Sequence, residues 1–279
     1  MFYDAITAVY PNMTVIGSTV AINPFPGDAS GDYHQYTRPD YFVSQFNFFD
    51  NSNTTTRQHK TLVGEYATVQ PNEQGQLGVN WTEARSPFPF WIGSVAEAVF
   101  LLGIERNADK IIGASYAPLF QNLNSYQWAP DLISYTADPG QDVRSTSHHM
   151  IALLSGTRIT ETLPAPGNFD PAYWVAGTTA SGSSVLKAAI YNSTGDVPVS
   201  VTFEGVSAGT TASLKVLTAP DPYSYNEVGS DVVETKTTQL TAGSDGTFVF
   251  SLPNLSVAVL ETSSGNGTAS GYKERRWSA

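Results

Sequence analysis

One short stretch, Thr61-Leu62-Val63-Gly64-Glu65-Tyr66-Ala67, puts a single carboxylate at the end of an apolar run. A buried parallel strand delivers an acid to the rim of an α/β barrel in this way, because catalytic groups of such barrels sit at the C-terminal ends of their strands. Glu65 is therefore the leading candidate for a catalytic carboxylate. The chemistry it suits is glycoside hydrolysis, which takes two carboxyl groups, one as acid/base and one as nucleophile or base. Gly64 leaves room for a ligand to approach closely, and Tyr66 can donate a hydrogen bond to a neighbouring carboxylate. Position alone does not separate this role from that of an ordinary rim residue.

A second stretch supports the first. In Asp32-Tyr33-His34-Gln35-Tyr36, His34 and Tyr36 alternate, so on a strand both face the same side. If that side is the barrel mouth, both can bond a sugar beside Glu65; otherwise they are rim packing. Downstream, Tyr116, Asn122 and Trp128 follow another strand, and a strand-terminal Tyr with a loop Trp suits either a stacking wall for a sugar ring or core and rim packing. Pro87-Phe88-Pro89-Phe90-Trp91 reads as packing instead. The chain has no cysteine, which excludes disulfides and thiolate ligands, and only four histidines. His148 and His149 are adjacent, and on a helix they point about 100° apart, a poor arrangement for sharing a metal.

These residues need elements to hold them. The N-terminal part alternates helix and strand: a helix over 2–10, strands over 14–19 and 31–36, a helix over 39–49, the Glu65 strand, a helix over 92–105, a strand over 110–116 and a helix from an Asp142 cap to 154. Such alternation predicts parallel strands joined by crossovers. Residues 71–90 form a long loop, and long loops in compact domains tend to be functional. From about residue 156 the pattern changes to seven short strand-like runs punctuated by Gly, Pro, Asn and Asp, the signature of an antiparallel sandwich. The expected organisation is α/β plus all-β: a catalytic domain over 1–156, a β-sandwich over 157–264 and a polar tail over 265–279. Four parallel strands are half of what a (β/α)8 barrel needs, so the first domain reads as an open sheet or as half a barrel.

The formal net charge of −11 repels phosphate backbones and argues against nucleic acid as a partner. Aromatic residues make up 12% while charged residues reach only 14%, a balance that fits neutral polar ligands such as sugars. No apolar run is long enough for a membrane span, and the first residues lack the basic and apolar regions of a signal peptide. Six N-x-S/T sequons, at Asn12, Asn53, Asn80, Asn192, Asn254 and Asn266, nonetheless suggest a secreted glycoprotein whose true N-terminus lies upstream.

Several motifs occur together and in order: Tyr3-Asp4-Ala5-Ile6 with Tyr10-Pro11; Asp32-x-His34-x-Tyr36 with Pro39 and Phe42; Gly64-Glu65-Tyr66-Ala67; Glu105-Arg106-Asn107-Ala108-Asp109; Ser115-Tyr116-Ala117-Pro118-Leu119-Phe120; and Trp128-x-Pro130-Asp131-Leu132-Ile133. With them the chain resembles glycoside hydrolase family 51, the α-L-arabinofuranosidases of fungal type, over about residues 1–156. The resemblance implies strands five to eight of a (β/α)8 barrel followed by a β-sandwich. It implies a retaining double displacement that releases terminal α-L-arabinofuranose from arabinan or arabinoxylan outside the cell. Glu65 would be the nucleophile, and His34, Tyr36, Tyr66, Asn122 and Trp128 would contact substrate. No metal or organic cofactor is implied. The family's acid/base glutamate would belong to strand four, before Met1, so the isolated chain is expected to be inactive or nearly so. Alternatives are a β-1,4-glucanase of the same family and a non-catalytic carbohydrate-binding or vestigial protein.

Overall fold

The computed structural model describes residues 2–18, 27–50 and 60–263. The expected tail, His59 and the sequons at Asn53 and Asn266 lie outside the described residues. The molecule is mostly β-structure with few helices.

After helix α1 (Phe2–Val9), three strands, β1 (Gly31–Thr37), β2 (Thr61–Thr68) and β3 (Ile111–Tyr116), pair in parallel in the order β1-β2-β3. Helix α2 (Pro39–Ser44) joins the first two, and α3 (Trp91–Arg106) joins the second and third. Parallel neighbours require such crossovers because the chain must return to the same end of the sheet. Pro39 opens α2, where its missing N–H costs nothing. The helix stops at Ser44, short of the expected 49, and turns carry Phe46 and Phe49 into the core.

The strand expected over 14–19 is reduced to a single parallel bridge, Ile16 to Ser30. Two hydrogen bonds hold it, Gly17 N–H to Ser30 O and Ser30 N–H to Val15 O, each 2.8 Å. Ile16 is exposed, so little packing extends the pairing further. Thr19 lies outside the described residues.

Helix α3 is the hub. Its residues are apolar nearly all round, which marks a helix buried on every side. It lies against β2, β3, α2, helix α4 (Thr146–Gly156) and the later antiparallel sheet. A Cβ at Gly103 would overlap the carbonyl of Phe46, so this glycine sets how closely α2's trailing turn approaches. Ser145, rather than the expected Asp142, caps α4 by accepting from His148 N–H at 3.1 Å. Between β3 and α4 lie three short strands that the sequence reading did not anticipate, β4 (Phe120–Asn122), β5 (Ile133–Tyr135) and β6 (Val143–Arg144).

Eight strands follow: β7 (Glu161–Leu163), β8 (Ala172–Thr178), β9 (Ser184–Ile190), β10 (Val197–Thr202), β11 (Thr211–Thr218), β12 (Glu234–Thr241), β13 (Thr247–Leu252) and β14 (Ser256–Thr262). Six form an antiparallel sheet, β12-β11-β14-β9-β8-β7, and β10 pairs with β13 across from it. Period-two alternation explains why the central strands are buried on both faces. Along β9, Val185 and Ala189 face the α3 core, whereas Leu186, Ala188 and Ile190 face Phe203 and Phe248 under β10 and β13. Val257 and Val259 against Ala258 and Leu260 repeat the pattern on β14. Lys187 falls on the α3 side and is buried, with its Nζ 2.6 Å from Glu105 Oε1. Glu105 therefore ties α3 to β9.

Candidate functional site

The parallel pairing of β1 and β2 brings the predicted pair of motifs together. Tyr36 donates its hydroxyl to Glu65 Oε2 at 2.5 Å. His34 Nδ1 stands 3.3 Å from the same oxygen, and its Nε2 lies 2.9 Å from Asp32 Oδ2. Two carboxylates thus flank one imidazole. Protonated, the ring can donate to both; neutral, it donates to only one. The Glu65 side chain keeps 39% of its surface in solvent, so the group is held and still accessible. Tyr36 has its pKa pushed up, first by burial and then by the hydrogen bond and charge of Glu65. It therefore remains a donor throughout the physiological range.

A bulge makes this geometry. In the β1–β2 register Tyr33 opposes Val63 and His34 opposes Glu65, so Gly64 is the extra residue. A Cβ at Gly64 would collide with Asp32 Oδ1. The open space beside Gly64 is therefore filled by the Asp32 side chain and the edge of His34, which corrects the expectation that it admits a ligand.

One other expectation is corrected. Tyr66, next to Glu65, points to the opposite side of the strand and is buried against Phe42, Phe100 and Tyr116. Burial pushes its pKa well up, and it belongs to the core rather than to a ligand surface. Asn122 is exposed on β4, where its Oδ1 accepts from Asn124 N–H in a local turn. No contact joins it to Glu65; its neighbour Gln121 is the buried one, bonded by Ser134.

Trp128 does reach the site. Its ring lies 5.4 Å from that of Tyr36, edge to face, and the Arg85 guanidinium sits over it at 4.1 Å. Trp81, from the long loop, completes an aromatic wall at 5.5 Å from Trp128 and 6.4 Å from Tyr36. The sequence reading singled out neither Trp81 nor Arg85. Phe88, Phe90 and Trp91 pack as expected, Phe88 stacked on Tyr225 and Trp91 bonded through Nε1 to Leu255 O.

Beneath the rim lie two buried carboxyls. Glu97 of α3 accepts from Thr68 N–H at 2.7 Å and from the Ser147 hydroxyl at 2.6 Å, and burial raises its pKa to about 7. Asp131 is 2% exposed, its pKa likewise raised to about 7 by burial, and its charge is felt by Tyr36 and Tyr116. Among the described residues, the buried side-chain atoms without a hydrogen-bond partner are Asp32 Oδ1, Tyr116 Oη, Trp128 Nε1, Asp131 Oδ2, His148 Nδ1 and His149 Nε2. Buried polar atoms are normally paired; of these, Trp128 Nε1 and Asp32 Oδ1 belong to side chains in contact with Tyr36 and His34.

Over residues 64–256 the chain matches the protein family described as alpha-L-arabinofuranosidase C-terminal domain. It is 40% identical over 266 residues to a probable α-L-arabinofuranosidase A of Aspergillus niger and equally so to one of Aspergillus terreus. In both cases the match covers 93% of this chain but 38% of the relative, so the chain spans well under half the length of those relatives. Among solved structures, an arabinose-bound MgGH51 α-L-arabinofuranosidase superposes with a TM-score of 0.81 at 30% identity, over 95% of this chain and 42% of that one. An α-L-arabinofuranosidase from Thermotoga maritima, in complex with arabinose, has a TM-score of 0.66 at 17% identity over 92% of this chain and 59% of that one, a likeness of fold alone.

Proposed function

We infer the function from one premise: the chain belongs to the alpha-L-arabinofuranosidase C-terminal domain family. We propose that it carries the nucleophile side of a retaining glycoside hydrolase that releases terminal α-L-arabinofuranosyl residues from arabinan or arabinoxylan. The observation that supports this best is the accessible Glu65 carboxylate, oriented by Tyr36 and His34 in the C-terminal half of a parallel strand.

In this mechanism a Glu65 oxygen attacks the anomeric carbon. The bond to the leaving sugar breaks, and the leaving oxygen takes a proton from a second carboxyl group. Water then displaces Glu65 from the covalent intermediate. Tyr36 and His34 fix the attacking carboxylate in place, and Trp128 flanks the sugar. A retaining pair stands roughly 5–5.5 Å apart. Asp32 is committed to His34 beneath the bulge, and no other described carboxyl is in contact with this group. We assign the acid/base to the part of the relatives' length that this chain does not span.

The same reading takes β1, β2 and β3 as consecutive strands of a (β/α)8 wall, with the Ile16 bridge as the remnant of the strand before them. Residues 1–156 would then belong to the catalytic barrel and 157–264 to a β-sandwich, in a parent enzyme that works outside the cell. The test is to mix the chain with aryl glycosides that carry a good leaving group and need no protonation. Release of one equivalent of phenol from the α-L-arabinofuranoside, none from the β-D-glucoside, and none with Glu65→Gln is expected. Equal release by Glu65→Gln, or a preference for the glucoside, contradicts the proposal.

A further inference from the structure

We propose that Trp81 is a stacking platform for the sugar residue adjoining the one held at Glu65, and so a determinant of specificity for oligosaccharide over monosaccharide. This deepens the reading above and rests on it.

The loop that carries Trp81 is clamped. Arg38 is buried, and its guanidinium donates to Pro71 O at 2.5 Å, Gly78 O at 3.0 Å and Glu83 Oε2 at 3.1 Å, with Glu73 Oε2 at 3.0 Å. The amides of Gln70 and Asn80 pair reciprocally, Gln70 Nε2 to Asn80 O at 2.7 Å and Asn80 N–H to Gln70 Oε1 at 2.9 Å. Asn80 Nδ2 then bonds Glu83 Oε1 at 2.8 Å. Trp81 is thus pinned on both sides by bonds to a buried cation and to the end of β2. A loop merely covering the rim would not need so many anchors.

The clamp holds an indole out in solvent. Trp81 is 55% exposed, the most exposed ring of the wall. Arg85 covers one face of Trp128, and Trp81 is the more exposed of the two indoles. Its distance from the chemistry is one ring: it packs on Tyr36, whose hydroxyl holds Glu65. A sugar bonded to Glu65 lies nearer Tyr36, and the next residue along meets Trp81. An indole face matches the C–H face of a neutral sugar, and its immobilisation lowers the entropic loss on binding.

The test titrates the full chain with arabinose and with arabinotriose by calorimetry. We expect the triose to bind at least tenfold more tightly, Trp81→Ala to reduce that preference to within twofold, and Trp81→Phe to restore most of it. In the unsubstituted chain, arabinotriose should slow oxidation of Trp81 by N-bromosuccinimide severalfold, and arabinose should not. A preference that survives Trp81→Ala, no preference in the parent chain, or unprotected Trp81 would each overturn the proposal. Failure of the Glu65 reading is separate: it shows as phenol release that persists in Glu65→Gln, whatever Trp81 does.

Discussion

Glu97 makes the stability of this chain depend on pH in a way that one substitution should remove. The carboxyl is wholly buried in α3 and its pKa rises from 4.5 to about 7, because burial disfavours the charge more than the Thr68 and Ser147 hydrogen bonds favour it. A carboxyl with a raised folded-state pKa binds more protons folded than unfolded. Its contribution is therefore intact below the unfolded pKa and is lost as pH rises through the folded one. At ~1.36 kcal/mol per pKa unit, the whole shift is worth on the order of 3 kcal/mol, of which roughly 2.5 is lost between pH 5 and pH 8. Asp131 and Glu105 are shifted in the same direction by burial, so the parent chain loses stability across that window for more than one reason. Glu97→Gln isolates the first. Its amide oxygen still accepts from Thr68 N–H, and Ser147 can turn its own proton toward Ser94, 2.9 Å away. Thermal unfolding at pH 5 and pH 8 should show the parent losing about 5 °C more than Glu97→Gln over that interval. Parallel curves for the two proteins would refute the assignment of the titration to Glu97.

Other perturbations follow from the same geometry. Tyr36→Phe removes the 2.5 Å donor to Glu65; it should slow covalent labelling of Glu65 by an activated arabinofuranoside at least tenfold while unfolding shifts by less than ~1.5 kcal/mol. Gly64→Ala forces a methyl group into Asp32, and both labelling and stability should fall, the latter by about 1–3 kcal/mol in denaturant titrations. Lys187→Ala strands the half-buried Glu105 without its 2.6 Å partner and should destabilise by about 3 kcal/mol, a loss that pairing with Glu105→Leu partly recovers.

Legibility in the sequence tracked periodicity. The alternation on β9 and β14 and the nearly unbroken apolar helix α3 were readable because burial on both sides leaves little freedom of residue type. So was the meeting of His34 and Tyr36 with Glu65, since all three lie on neighbouring parallel strands whose register sets His34 opposite Glu65. Tyr66 misled because its chemistry outweighed its register: one residue beyond Glu65, it faces the core. Residues 14–19 have strand-like composition, yet an exposed Ile16 shows that composition without a packing partner yields only a bridge. Trp81 was invisible because a loop has no period, and its anchoring depends on Arg38, more than forty residues earlier, finding carbonyls at Pro71 and Gly78. Glu97 did leave a signal, an acid between Ala96 and Ala98 in the apolar middle of a helix whose other acid, Glu105, lies in the last turn.

We propose Glu65 as a competent nucleophile for an arabinofuranosyl group. The direct measurement is mass spectrometry of the chain after reaction with an activated α-L-arabinofuranoside, followed by peptide mapping. The account predicts one added arabinosyl group, located on Glu65 and absent from Glu65→Gln. An adduct on any other carboxylate, or an unmodified Glu65 in the folded chain, would contradict it.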